Sequence, residues 1–386
     1  MKFGVLKDIK ADEYRVIATP AEVAMIARTG AEVWVQKDAG KGAGFSDEAY
    51  AAEGAKIVDT MEEIYANCDF VAKVKELEER EFDLIRENQI IFTCIHPAAH
   101  PAEVDALLAH KAVSFAAEDS HRYGSPNCEA AGKIGAMMGL NSLLSCNGGK
   151  GKFVNGFGGA PGVHALVIGA GTVGRACVGV LQQLGARVTV MDVNIGVLRM
   201  IGQQFHESVD TMISNHYNLT KILPTVDVVY NCVRWPKDAK EFMIDRKMVA
   251  SMEKGSVIVD ISNDYGAIET FHETTHSHPT YVEEGVVHYC VSNIPAACGQ
   301  STSIAYAASV LPHFLSIIKN GVAACAKDGF LRRSMVTYKG YLTHEETSAI
   351  QDKPWIQPEV ILGIKDQALD PAPAATVSKS TNFIKL

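Results

Sequence analysis

The sequence lacks the features that define several protein classes. Its nine scattered cysteines include no Cys-x-x-Cys pair, which argues against a zinc site or a disulfide framework and favours reduced thiols in a cytoplasm. The formal net charge is −9, so there is no basic field to attract nucleic acid. No basic-apolar-small signal stands at the N-terminus and no apolar run looks long enough to span a bilayer, so we expect no membrane partner and a cytoplasmic location.

What the sequence does contain is ordinary for a soluble α/β protein. Its 386 residues suggest two or three domains, and 47% hydrophobic and 21% charged residues are typical values. Short apolar segments alternate with helical segments, which predicts parallel sheets with right-handed crossovers. The predicted strands include residues 2–6, 31–35, 70–74, 89–93, 165–168, 186–192, 226–230 and 257–261. The fold class is therefore α/β, with two Rossmann-like doubly wound parallel-sheet domains and a cleft between them.

Two long helices are predicted near the domain boundaries. Residues 129–144 are rich in Ala, Gly and Met, which suits close packing between domains, and a helix over residues 302–319 is expected to return the chain to the first domain. Residues 350–386 show little periodicity, so we expect an extended arm or a frayed tail there.

The most informative stretch is an apolar strand that runs into a Gly-x-Gly-x-x-Gly turn and then a helix. Gly169 permits the turn, Gly171 allows a pyrophosphate to approach the backbone, and Gly174 allows the helix to pack on the strand. The helix begins at Thr172 and Val173, where free N–H groups would hold the anion. A glycine-rich turn in an ordinary α/β core is the alternative.

An acidic residue about 20 positions later supports the dinucleotide interpretation. Asp192 ends the next predicted strand, where a carboxylate would accept a hydrogen bond from the adenosine ribose 2′-OH. A carboxylate at this position would repel a 2′-phosphate. The predicted cofactor is therefore NAD rather than NADP.

Three polar residues occupy positions that suit a substrate site. Lys75 and His96 each follow an apolar run, so they emerge at the carboxyl ends of strands, where open parallel sheets bind ligands. Arg15 follows the loop after the first strand. One acid/base and two cations suit a substrate that carries a carboxylate and a polarised C=O or C=N group. Taken singly, each residue also fits an ordinary solvated or loop position.

Two further sets of polar residues have weaker signals. Asp264 follows the strand at 257–261 and could orient a water or a nitrogen near a nicotinamide, although its surroundings also form a good turn sequence. His272, His276 and His278 lie among Thr, Ser and Pro without a cysteine nearby, so we predict no metal site.

Taken as a set, these residues resemble the alanine dehydrogenase family, which is related to the NAD-binding subunit of proton-translocating transhydrogenase and to saccharopine dehydrogenases. The resemblance covers roughly residues 1–345. It is carried by the glycine turn and by the segments at residues 7–10, 15–16, 19–20, 44–47, 73–76, 92–99, 129–132, 274–280 and 288–295.

The resemblance implies roles for individual residues. Arg15 and Lys75 would bind the carboxylate and carbonyl of the substrate, His96 would be the acid/base, and Asp264 would lie beside the nicotinamide. Four residues match positions that contact the cofactor in the family: Cys128, Ser214, Val233 and Asn293. Asp192 would bind the ribose of the cofactor. It also implies a catalytic domain from residues 1–126 and 299–386, an NAD-binding domain from residues 127–298, and a homo-oligomer, a hexamer or a dimer. The implied activity is an NAD-dependent interconversion of an L-amino acid with its 2-oxo acid and ammonia.

The chain departs from the family pattern where the side-chain pocket is expected. Cys94 replaces a large aromatic residue, Asn127 replaces a methionine, and Arg234 and Trp235 replace two apolar residues. Residues 263–270 look more like the N-carboxyethyl amino-acid synthases of the same superfamily. An opine-type dehydrogenase, which reduces an imine between a 2-oxo acid and the amine of a second amino acid, is therefore the alternative enzyme. A nucleotide-binding subunit that docks to a membrane proton channel is the alternative of a different class.

Overall fold

The computed structural model describes residues 1–236, 239–263, 266–375 and 378–384. The chain divides into two compact units, one formed by residues 1–125 and 298–386 and the other by residues 126–297. Each unit contains one large sheet. Which unit is catalytic and which binds NAD stays a prediction.

The strands of the described residues are named here in chain order. They are β1 (Lys2–Val5), β2 (Glu32–Gln36), β3 (Lys56–Val58), β4 (Phe70–Ala72), β5 (Ile90–Thr93), β6 (Val113–Ala116), β7 (His164–Ile168), β8 (Arg187–Asp192), β9 (Asp210–Ile213), β10 (Val228–Asn231), β11 (Val257–Asp260), β12 (Thr280–Glu283), β13 (Val286–Tyr289), β14 (Met335–Tyr338) and β15 (Tyr341–Leu342).

The helices connect these strands and cover both sheets. They are α1 (Pro20–Ala27), α2 (Asp47–Ala52), α3 (Met61–Asn67), α4 (Glu79–Phe82), α5 (Pro101–Ala109), α6 (Pro126–Ser142), α7 (Thr172–Gln183), α8 (Ile195–Gln204), α9 (His216–Ile222), α10 (Arg246–Ala250), α11 (Gly299–Asn320), α12 (Ala324–Lys327), α13 (Gly329–Arg333), α14 (Glu345–Gln351) and α15 (Pro358–Ile361). Helix α1 begins directly after Thr19, which forms a capping box with Glu22.

The first sheet has the strand order β15-β14-β6-β5-β4-β1-β2-β3. The six strands from β6 to β3 are parallel, whereas β14 is antiparallel to β6 and β15 is antiparallel to β14. The chain therefore winds outward in both directions from β1 and β4. This is the doubly wound pattern, in which ligands bind at the carboxyl edge where the strand order reverses.

The second sheet has the strand order β12-β13-β11-β10-β7-β8-β9 and reverses at β7 and β10. Only β12, at one edge, is antiparallel to its neighbour. The predicted α/β class with two doubly wound sheets is confirmed. The antiparallel strands β12, β14 and β15 are features that the sequence pattern does not predict.

One helical stretch corrects an expectation from the sequence. Residues Ile294–Lys327 are long and apolar enough by composition to cross a membrane, so the statement that no such run exists is wrong. Half of its most apolar window is buried, and Tyr306, Val310 and Phe314 of α11 lie in the hydrophobic core of the first unit. A core helix passes the same test of length and composition, so this stretch is weak evidence for a membrane segment.

Of the two expectations for the residues after 350, an extended arm fits the residues that the structure describes and a frayed tail does not. Trp355 is buried at 4% exposure, and its backbone bridges Leu342 on one side and Phe383 on the other. The Trp355 and Phe383 rings also pack together, with centroids 4.8 Å apart. Burial of an aromatic anchor holds this segment on the first unit, although few of its residues show regular periodicity.

Candidate active site

Lys75 and His96 lie at the same edge of the first sheet, as the strand pattern predicts. The parallel strands β4 and β5 pair Ala72 with Phe92, so both strands end at one level. The two following loops are also joined, because the Thr93 hydroxyl donates a hydrogen bond to the Lys75 carbonyl at 2.5 Å. This bond fixes the separation of the two segments that carry the predicted side chains.

Lys75 is held within a set of opposite charges. Its Nζ atom lies 3.1 Å from Oε2 of Glu76, and Nζ of Lys10 lies 2.5 Å from Oε1 of the same carboxylate. Burial raises the pKa of Glu76, but the two lysines outweigh it and hold the pKa well below its usual range. Glu76 is therefore ionised at neutral pH and favours a charged Lys75.

Arg15 is buried at 4% exposure, so the alternative of a surface position is wrong. Glu13 accepts hydrogen bonds from Nε of Arg15 at 2.7 Å and from Nη2 at 2.6 Å. Burial lowers the pKa of Arg15, but the charge of Glu13 outweighs it and raises the pKa above its usual value. A bidentate carboxylate fixes the plane of the guanidinium, which is the group best suited to bind a second carboxylate.

A cavity of about 250 Å³ within the first unit reaches Arg15. Its lining includes the backbone or side chains of Lys7, Asp8, Glu13 and Tyr14. The cavity is small and most of its lining residues are charged, so a compact charged ligand suits it better than an apolar one.

His96 has an unusual backbone and an acidic neighbour. Its φ angle is +47°, in the left-handed region that side chains other than glycine rarely adopt. The His96 N–H donates to Oε1 of Glu118 at 2.6 Å, and Nδ1 lies 3.6 Å from the same oxygen. Burial, and secondly the charge of Asp119, raise the pKa of Glu118 to about 8. A strained backbone and a proton-holding neighbour are typical of functional positions.

Cys94 contacts a residue from a distant part of the chain. Its Sγ atom lies 3.1 Å from the hydroxyl of Tyr306, and both side chains are buried. Burial, together with the charge of Glu118, raises the pKa of the Cys94 thiol to about 12. The thiol therefore stays neutral. Cys94 thus places a small polar group, paired with Tyr306, where the family usually has a large aromatic side chain.

The glycine turn fits the pyrophosphate of a dinucleotide. Gly169 has φ +91°, and a Cβ there would lie 2.9 Å from the carbonyl oxygen of Cys232. A Cβ on Gly174 would lie 1.8 Å from the carbonyl oxygen of Gly169, so α7 can pack on β7 only without one. No atom lies within 4 Å of a Cβ built on Gly171, which leaves its backbone approachable. The predicted roles of the three glycines are consistent with this geometry.

Asp192, at the end of the neighbouring strand β8, forms a hydrogen bond with the backbone of the glycine turn. Its Oδ2 accepts the N–H of Ala170 at 2.9 Å, and its Oδ1 accepts the N–H of Asn194 at 2.8 Å. The carboxylate is therefore fixed beside the glycine turn. The first helical residues, Thr172 and Val173, follow the turn directly.

The four other predicted cofactor positions are spread over the second unit. Ser214 follows β9, and its N–H donates to the carbonyl of Asp192 at 2.9 Å. Val233 follows β10, and its Cγ2 lies 3.0 Å from a Cβ built on Gly169, so it lies against the turn. Cys128 lies in the first turn of α6 and Asn293 follows β13. The structure thus brings Ser214 and Val233 to the edge that carries the glycine turn.

The remaining predictions concern Asp264 and three histidines. Asp264 lies outside the described residues. The His272 ring stacks on Tyr281 with centroids 3.3 Å apart, and Nε2 of His276 lies 3.1 Å from the carbonyl of Asn293. Across the part of the chain that the structure describes, no group of three or more His, Cys, Asp or Glu side chains is arranged to hold a metal ion.

Several neighbours of the site are absent from the sequence prediction. Glu13, Glu118 and Tyr306 contact Arg15, His96 and Cys94, respectively. Glu118 follows β6 as His96 follows β5, so a correct prediction of β6 would have placed it at the same sheet edge. Tyr306 lies 212 residues from Cys94, and no local pattern reports that contact.

Comparison with known proteins finds the same family over both units. The family described as "Alanine dehydrogenase/PNT, N-terminal domain" matches residues 4–125, and "Alanine dehydrogenase/PNT, C-terminal domain" matches residues 135–345. The chain is 35% identical to the alanine dehydrogenase of Methanococcus maripaludis over 94% of this chain and 100% of that protein. It is 36% identical to the alanine dehydrogenase of Geobacillus stearothermophilus over 92% and 98% of the two chains.

A solved structure of an L-alanine dehydrogenase is also similar. It superposes with a TM-score of 0.84 at 30% identity, covering 91% of this chain and 99% of that chain. The similarity therefore extends over both sheets and is not limited to a dinucleotide-binding motif.

Proposed function

Because the chain belongs to the alanine dehydrogenase/PNT family, we propose that it interconverts L-alanine with pyruvate and ammonia. It is an NAD-dependent oxidoreductase of the CH–NH2 group of an amino acid, and its relatives do not favour the opine-type alternative. The observation that carries the choice of alanine is full-length similarity to alanine dehydrogenases. The alternative of a membrane-docking subunit is not proposed, because the full-length relatives named above are alanine dehydrogenases.

In the proposed mechanism, the cations of the first unit hold the 2-oxo acid. Arg15 binds the carboxylate, and Lys75 polarises the carbonyl so that ammonia attacks its carbon. His96 donates the proton that the carbonyl oxygen needs to leave as water. The C2 atom of the resulting imine then takes the hydride that bound NADH supplies. In the opposite direction His96 accepts a proton from water as it adds to the imine.

We also propose the assignments of the coenzyme site and of the two units. Asp192 would accept a hydrogen bond from the adenosine ribose and reject a 2′-phosphate, while Cys128, Ser214, Val233 and Asn293 would contact the cofactor. Asp264 would lie beside the nicotinamide. Residues 1–126 and 299–386 would form the catalytic domain, residues 127–298 the NAD-binding domain, and the protein would act in the cytoplasm as a homo-oligomer.

A substrate panel tests the proposed function. NADH oxidation is measured with pyruvate and larger 2-oxo acids, each with ammonia or with an amino acid as the amine. We expect pyruvate with ammonia to give the highest kcat/KM, and His96→Ala to lower it by about 10²- to 10⁴-fold, the usual contribution of a general acid/base.

His110→Ala is the matched control, because His110 caps the C-terminus of α5 in the same unit. It should leave kcat/KM unchanged. Turnover with amino acids but not with ammonia would contradict the proposal, and wild-type activity in His96→Ala would refute the role of that residue.

A further inference from the structure

A fully buried lysine lies two residues before Lys75. Lys73 follows β4 and is 1% exposed, which is rare for lysine unless its charge is paired. Its Nζ atom lies 2.8 Å from Oε2 of Glu81 and 4.0 Å from Oδ1 of Asp8. Burial lowers the pKa of Lys73, but the Asp8 and Glu81 carboxylates outweigh it and raise the pKa, so the ammonium stays charged.

Asp8 connects this buried charge to Lys75. Its Oδ2 accepts the backbone N–H of Lys75 at 2.8 Å, and its Oδ1 accepts the N–H of Lys10 at 3.2 Å. Asp8 therefore joins the loop after β1 to the loop after β4. Lys10 and Lys75, whose N–H groups Asp8 accepts, both place their Nζ atoms on Glu76.

The other partner of Lys73 is itself fixed. Oε1 of Glu81 accepts the hydroxyl of Tyr65 at 3.0 Å, and Oε2 accepts the N–H of Glu78 at 2.8 Å. Lys73 is thus held from the side of α4 and presents its charge towards Asp8. A buried ion pair adds little net stability, because desolvation offsets the attraction, so a fixed orientation is what this arrangement supplies.

We propose that Lys73 is a positioning residue that acts through Asp8 to hold Lys75 in its substrate-binding position. The inference rests on the proposed role of Lys75. Without the buried ammonium, Asp8 would lose its fixed charge partner and could turn away from the Lys75 N–H. Lys75 would then move relative to the 2-oxo acid, while the coenzyme site in the second unit would be unaffected.

The test compares steady-state kinetics of full-length wild type and Lys73→Met. We expect the KM for the 2-oxo acid to rise by about ten- to a hundredfold, since a misplacement of about 1 Å can cost about 10²-fold. The KM for NADH should not change. Asp8→Asn should produce a similar rise in the KM for the 2-oxo acid. The double variant Lys73→Met/Asp8→Asn should raise this KM little further, because both changes break the same chain of contacts from Lys73 through Asp8 to Lys75.

Glu81→Gln is the matched control. It disturbs the same buried cluster on the side away from Asp8, and the glutamine oxygen can still accept from Lys73. We expect a lower Tm with an unchanged KM for the 2-oxo acid. If Lys73→Met does not fold, Lys73→Met/Glu81→Gln removes both charges of the pair and is measured in its place.

A wild-type KM for the 2-oxo acid in the Lys73 variant would overturn the inference, and so would fully additive effects of the Lys73 and Asp8 changes. An equal rise of KM in Glu81→Gln would overturn it as well, because the effect would then be general to the cluster. Failure of the wild-type protein to oxidise NADH with pyruvate and ammonia would instead overturn the proposed function.

Discussion

At the scale of single residues, Glu118 is the group whose protonation the structure perturbs most clearly beside His96. Its pKa is raised to about 8 by burial and by Asp119, so the folded chain binds its proton more tightly than the unfolded chain does. The contribution of this group to the free energy of unfolding therefore falls as the pH rises from about 4.5 to about 8.

Glu118→Gln removes that titration and keeps an oxygen that can accept the His96 N–H. Between pH 5.5 and pH 8.5 the free energy of unfolding of wild type should fall relative to that of the variant. We expect this relative change to be about 1 kcal/mol or more, since one pKa unit corresponds to about 1.4 kcal/mol. Thermal unfolding of both proteins at the two pH values measures this. Glu87→Gln, which changes an exposed carboxylate, is the control. A stability difference that is the same at both pH values would contradict the prediction.

The residues that sequence reasoning could place are those next to a recognisable strand. Lys75 and His96 each end an apolar run, so their position at a sheet edge follows from the pattern. The distant residues that contact the predicted site residues were not predictable in the same way. Asp8 lies 67 residues from the Lys75 N–H that it accepts, and Tyr306 lies 212 residues from Cys94. Such contacts depend on topology and leave no local periodicity.

At the scale of elements, most central strands were predicted and most edge strands were not, although the inner strands β6 and β13 were also missed. A central parallel strand is buried on both faces and is read as a continuous apolar run, as in β7. The edge strand β9 is largely exposed, and β14 pairs with β6 more than 200 residues earlier in the chain. Neither has a distinctive local pattern, so both were missed.

Gly174→Ala tests the packing of α7 on β7. The added Cβ would overlap the carbonyl oxygen of Gly169, so the helix start must shift away from the turn. We expect about 1–3 kcal/mol of destabilisation, as for other overpacked sites, and a KM for NADH that rises more than the KM for the 2-oxo acid. Thermal unfolding and steady-state kinetics measure the two effects.

Gly179→Ala is the control in the same helix. A Cβ there would meet its nearest neighbouring atom, on Phe205, at 4.0 Å, and alanine favours a helix over glycine by about 1 kcal/mol. This variant should be as stable as wild type or more so, with unchanged kinetics. Equal damage from both substitutions would mean that the close approach at Gly174 is not what the turn requires.

At the scale of the whole molecule, each unit has its own hydrophobic core. Both faces of the first sheet and both faces of the second are covered by separate clusters of buried side chains. Two cores allow two unfolding transitions, and a single two-state description does not then apply. A change confined to one unit should move one transition more than the other.

Removal of residues 369–386 tests this independence. Asp370 accepts from Arg122, and the Pro373 carbonyl accepts from Arg333, so the segment is tied to the loop that follows Glu118 and to α13. Its loss also removes the Asp370 carbonyl to which the buried Arg332 donates, and an unsatisfied buried group of this kind costs about 1–3 kcal/mol. We expect calorimetry to show one transition at lower temperature in the truncated chain. NAD should raise the temperature of the other transition, because a ligand stabilises the unit that binds it. If truncation and NAD move the same transition, the two units unfold together and the proposed division of their roles loses its thermodynamic support.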